Sequence, residues 1–116
     1  VTLIIEVVMK RIINEISKDI ESIKKLEGDK ESIQKLEYVL SQLRLWFMCK
    51  KNYINYLPDY EIANLEKLVS SIDLDTRSKF PDIVSVIDYY FFLIKISNYE
   101  LYDMLDKKLI KKTSLS

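Results

Sequence analysis

The chain of 116 residues carries 18 Lys and Arg against 18 Asp and Glu, a formal net charge of zero, with 48% hydrophobic and 31% charged residues. That apolar fraction excludes intrinsic disorder, and the neutral balance gives no overall pull toward nucleic acid. One Gly, two Pro, one Cys and no His exclude a glycine-rich phosphate loop, a Cys/His zinc site and an internal disulfide, and they leave little punctuation for tight hairpins.

The N-terminal run "VTLIIEVVMKR" carries Glu6 and lacks a basic leader and a small-residue cleavage site, so it reads as the start of a helix and not as a signal peptide. Met9, Ile12, Ile13, Ile16, Ile20, Ile23 and Leu26 recur at three- and four-residue intervals, the pattern of one amphipathic helix over 2–27. Gly28 suits a left-handed cap and Asp29 suits the N-cap of the next helix. The chain is therefore expected to open with a long antiparallel helical hairpin.

The second helix is expected over 30–57, ended by Pro58, with Ile33, Leu36, Leu40, Leu43, Phe47, Ile54 and Leu57 as its inner stripe. A second apolar row, Val39, Trp46, Cys49, Tyr53 and Tyr56, widens that stripe beyond what one neighbour covers. The remaining face reads Glu37, Ser41, Arg44, Met48, Lys51 and Asn55, placing Arg44 and Lys51 two turns apart on one side.

Asp59 can cap a third helix over 60–72, whose Ile62, Leu65, Leu68, Val69 and Ile72 face inward. "DLDTRSKFP" is polar enough to be a loop. The run over 82–96 is apolar nearly all round and reads as a helix packed on most sides, with a buried strand as the competing assignment. Tyr89, Tyr90, Phe91 and Phe92 within it are expected in the core, and Ile83–Ile96 is too short to span a bilayer. "SNYE", Ser97 to Glu100, matches a capping box that would open a last helix over 98–112. The sum is an all-α single domain over 1–116, a bundle of four to five helices without repeat or linker.

No constellation of side chains in this sequence supports catalysis. Cys49 has no histidine to activate it and reads as a buried, reduced thiol in an intracellular, cytoplasmic protein. Glu15 and Asp19 lie at helical spacing, as carboxylates on solvated faces commonly do. The expectation is a non-enzymatic protein with no cofactor, metal, small-molecule substrate or membrane, whose partner is another protein or a second copy. Arg44, Trp46, Met48, Lys51, Tyr53 and Tyr56 form the candidate partner interface, because Trp, Tyr, Met and Arg are enriched at interface centres. The competing reading makes the same residues a thickly packed central helix whose lysines snorkel outward. Lys107, Lys108, Lys111 and Lys112 complement the dipole of the last helix, with phosphate or an acidic partner as the second reading.

A long leading helix, then "KLEYVLSQLRLWFMCKKNYI", then a proline break and "DYEIANLEKLVSSI", resembles the helical domain of GINS subunits. In that family a central helix carries an arginine and, some seven residues later, a lysine, positions that Arg44 and Lys51 match here. The resemblance covers about 12–72 and implies a subunit of the replicative helicase assembly. Family members usually add a small β domain, whereas 80–116 reads here as helix. Two other readings stay open: a small nucleic-acid-binding regulator using the C-terminal lysines with Arg44 and Lys51, and a viral Bcl-2-like bundle that captures a partner helix in an apolar groove beside the central helix.

Overall fold

A computed structural model describes the backbone of residues 2–52 and 59–114 and the side chains of 7–50 and 62–97. Among the described residues the chain is entirely helices and short connections: α1 (Thr2–Lys24), α2 (Lys30–Asn52), α3 (Asp59–Ser70), α4 (Leu74–Lys79) and α5 (Pro81–Ser114). The all-α bundle expected from sequence is the observed fold, and the run over 82–96 is helix, not strand.

Met9, Ile12, Ile16, Ile20 and Ile23 form the buried stripe of α1 and meet Ile33, Leu36, Val39, Leu40, Leu43 and Phe47 of α2. Each such side chain, fully buried, contributes about 1.5–3 kcal/mol of transfer free energy. The two helices run antiparallel, as the bond of Arg44 to Ser17 and the ion pair of Lys24 with Glu37 require. The hairpin turn differs in detail from expectation. α1 ends at Lys24, not at 27, because the N–H groups of Lys25 and Leu26 bond to the carbonyls of Ser22 and Ile23 in tighter three-residue steps. Leu26 consequently leaves the stripe and is exposed. Gly28 takes φ +143°, a conformation that side chains with a Cβ rarely adopt, whereas a Cβ there would meet the Phe80 ring at an ordinary contact distance of 3.4 Å, so glycine serves the backbone. Asp29 caps α2 as expected: its Oδ1 accepts from the Glu31 N–H at 3.1 Å and its Oδ2 from the Ser32 hydroxyl at 3.2 Å.

α2 is the spine, packing against α1, α3 and α5, while α5 also packs on α3 and α4. Its expected end at 57 falls among residues 53–58, outside the described residues.

The segment read as a loop contains α4, and side-chain bonds explain why. Asp73 accepts from the Thr76 N–H at 3.2 Å as the N-cap. Thr76 is buried and donates its hydroxyl to Ser32 at 3.0 Å, linking this turn to the start of α2. Arg77 donates from Nε to the Ile72 carbonyl at 2.9 Å and from Nη2 to the Val69 carbonyl at 2.8 Å, satisfying the exposed end of α3. Pro81 then opens α5 at the first helical position, where its missing N–H is no loss.

The expected break between helices at 82–96 and 98–112 is absent: α5 runs 34 residues without interruption. No Gly or Pro lies beyond Pro81, and Ser or Asn inside a helix costs only a few tenths of a kcal/mol relative to better formers. The Ser97–Glu100 sequence is therefore accommodated within the helix. Asn98→Pro separates the two arrangements. It would be tolerated at the first position of a new helix, but inside a continuous one it costs about 3 kcal/mol; the expected outcome is a clear loss of helical circular dichroism and of amide-exchange protection around residue 98.

Candidate functional site

The sequence-derived interface divides when its residues are placed. Trp46 is 5% exposed and belongs to the core. Its indole meets the Phe47 ring edge-on, centroids 5.2 Å apart at 87°, a favoured aromatic arrangement. The expectation that Trp46 offers surface its own chain cannot cover is therefore corrected, because α2 touches three helices and the row holding Val39 and Trp46 faces inward with the main stripe. Lys50, on the same helix, is 2% exposed with its ammonium 5.4 Å from the Trp46 ring centroid. Burial holds its pKa below the usual lysine value.

Arg44 is also occupied within the fold. Its Nη1 donates to the Ser17 hydroxyl at 3.1 Å, and Ser17 donates in turn to the Ile13 carbonyl at 2.9 Å, so this cation ties α2 to α1. Met48 alone among the described candidates is displayed, being 43% exposed. Lys51, Tyr53 and Tyr56 lie outside the residues whose side chains are described, as do Lys107, Lys108, Lys111 and Lys112.

The surface that the structure does present lies beside Met48 on the same helix. Tyr38 and Leu45, seven residues apart, are each about half exposed, and with Met48 they fall within one outward arc of α2. Tyr38, Gln42, Leu45, Trp46 and Cys49 of α2 face Asn64, Leu65 and Leu68 of α3 across a groove of about 380 Å³. The floor is apolar, with Gln42 and Asn64 as amides and the half-buried Cys49 thiol beside them. The Trp46 indole N–H is buried without an acceptor among the described residues. Buried donors are nearly always paired, and leaving one unpaired costs about 1–3 kcal/mol. Tyr38 and Leu45 escape a reading of the sequence because tryptophan is the stronger interface signal beside them. Their own signal is their position, since both sit opposite the Leu36, Leu40, Leu43 and Phe47 stripe.

A second recess, of about 180 Å³, opens between α1 and α5, lined by Asp19, Ser22, Ile23, Leu26, Leu40, Asp82, Ile83 and Val86. At its α5 side Tyr90 donates to Asp19 at 2.6 Å, and burial together with that carboxylate raises the phenol's pKa. A polar depression near the helix starts gathers Asp29, Glu31, Asp73 and Asp75 with Lys35, but no group of described residues is arranged to hold a metal ion. No described helix is long and apolar enough to cross a membrane.

Because Trp46 is the only tryptophan, its placement is directly observable. The folded chain is expected to emit at a wavelength well to the blue of free tryptophan and to resist acrylamide quenching, with a red shift on unfolding; emission already at the solvent position would contradict an enclosed indole. Comparison with known proteins returns no matching family model, curated protein or solved structure.

Proposed function

We propose that this chain is a non-enzymatic protein-interaction subunit that receives an apolar segment of a protein partner along the α2–α3 groove. The observation that carries the reading is the outward arc of α2, where Tyr38, Leu45 and Met48 are each at least 43% exposed on a helix whose opposite side already fills the core. A helix needs only one apolar stripe to fold against its neighbours. Apolar side chains grouped on the other side, next to a groove, are what an interface centre requires.

The groove beside the central helix favours capture of an amphipathic segment over a flat contact, because apolar anchors at helical spacing can seat between Tyr38 and Leu45 on one wall and Leu65 and Leu68 on the other. A carbonyl or hydroxyl of the partner reaching the groove floor would accept from the Trp46 indole N–H, which has no acceptor among the described residues. Within this class, a GINS-like subunit of a replication helicase assembly is the specific form that the sequence resemblance suggests. In that form Arg44 supports the hairpin through Ser17.

The test uses the tagged chain in its own cells and in purified form. Leu45→Glu and Met48→Glu are expected to leave stability within about 0.5 kcal/mol of the parent, as exposed substitutions do. Each is expected to weaken the recovered partner's binding by about 2 kcal/mol or more, roughly thirtyfold. Recovery of the sister subunits of a helicase complex would support the GINS-like form. Binding undiminished by both variants would remove the α2–α3 face as the interface.

A further inference from the structure

The α1–α5 recess shares no lining residue with the α2–α3 groove and has its own chemistry. Ile23, Leu26, Leu40, Ile83 and Val86 make it apolar, while Asp19 and Asp82 are its only charged lining groups. Leu40 at its base is fully buried and Leu26 at its edge is 40% exposed. The phenol of Tyr90 donates to Asp19, and Glu15 lies close enough to act on the same phenol, so carboxylates gather on this side of the recess. A segment suited to this recess has apolar side chains between cations.

The C-terminal "KKLIKK", Lys107 to Lys112, is such a segment, within a stretch from Lys107 to Ser116 that holds four lysines and no acid. It cannot reach the recess of its own molecule. Ile83 and Leu109 lie on the same uninterrupted helix, and 26 residues at 1.5 Å each separate them by about 39 Å. Only another molecule can bring the two together. From these placements we infer that two copies associate through antiparallel α5 helices, the "KKLIKK" segment of each meeting the α1–α5 recess of the other.

Such an arrangement is isologous: one two-fold axis generates both contacts and closes the assembly at two chains. It also covers Tyr89, which is more than half exposed and lies two turns along α5 from Asp82 on the same face. A lone exposed aromatic is ordinary on a protein surface, but this one lies between the acidic-rimmed recess and the basic end of the same helix, where the symmetric pair would bury it.

Complementary charge reversal tests the pairing. Equilibrium sedimentation of the full chain is expected to show a monomer–dimer equilibrium that weakens as salt is raised. Asp82→Lys places a cation at the recess, and Lys108→Glu with Lys111→Glu makes the tail acidic. Each altered chain alone is expected to raise the dimer dissociation constant about tenfold or more, equivalent to about 1.4 kcal/mol, with unchanged helical circular dichroism. Mixing the two altered chains is expected to restore dimers, since one contact then pairs the reversed charges and the other pairs the original ones. A chain that stays monomeric at high micromolar concentration overturns the inference. So does a dimer indifferent to both changes, or one that mixing fails to restore. None of these outcomes bears on partner binding at Leu45 and Met48, so the two surfaces fail separately.

Discussion

The fold depends on α2 being enclosed from three directions at once. Leu36, Val39, Leu40, Leu43 and Phe47 have no exposed surface, and α1, α3 and α5 all reach this helix. A 13.8 kDa chain has little spare interior, so concentrating it along one helix lets four others be amphipathic and short of core. The apolar burial at α2 is offset by the conformational entropy of ordering every helix that packs on it. Polar ties then choose among packings of similar burial: Arg44 to Ser17 sets the hairpin register, Thr76 to Ser32 seats α4 on the start of α2, and Tyr90 to Asp19 joins α5 to α1.

That enclosure decides what remains for function. Trp46 and Lys50 are taken inward, the lysine lying beside the indole with its basicity lowered by burial. The arc left outside still carries Tyr38, Leu45 and Met48, so the helix that builds the core also carries the proposed docking face. Because α3 and α5 lean on α2 from different sides, recesses form on either side of them: one apolar with amides at its edge, the other apolar with carboxylates. Different rims suit different occupants.

How much of this is legible in the residues alone varies by feature. The α1 and α2 stripes are readable because Ile, Leu and Phe at three- and four-residue spacing seldom occur except on the buried face of a helix. Asp29 as a cap is readable from its position after the only glycine. α4 is not, since its stability comes from Arg77 reaching back to carbonyls of α3 and from Thr76 meeting Ser32, 44 residues away in sequence. The aromatic run on α5 splits, with Tyr90 and Phe91 buried and Tyr89 and Phe92 exposed, because four consecutive residues necessarily cover a whole helical turn. Trp46 misleads for a related reason: periodicity shows which residues share a face but not how many neighbours that face has. Lys50 gives no sequence signal at all, as a buried lysine looks like a surface one until its surroundings are known.

The division of α2 into a core side and a docking side is tested most directly by urea denaturation of two truncations on that helix, two residues apart. Phe47→Ala should lower the unfolding free energy by about 3–5 kcal/mol, as large aromatic deletions in packed cores do, and Leu45→Ala should change it by no more than about 0.5 kcal/mol. Similar losses at both positions would mean that Leu45 is enclosed like Phe47, and the account of an outward-facing apolar arc would be contradicted.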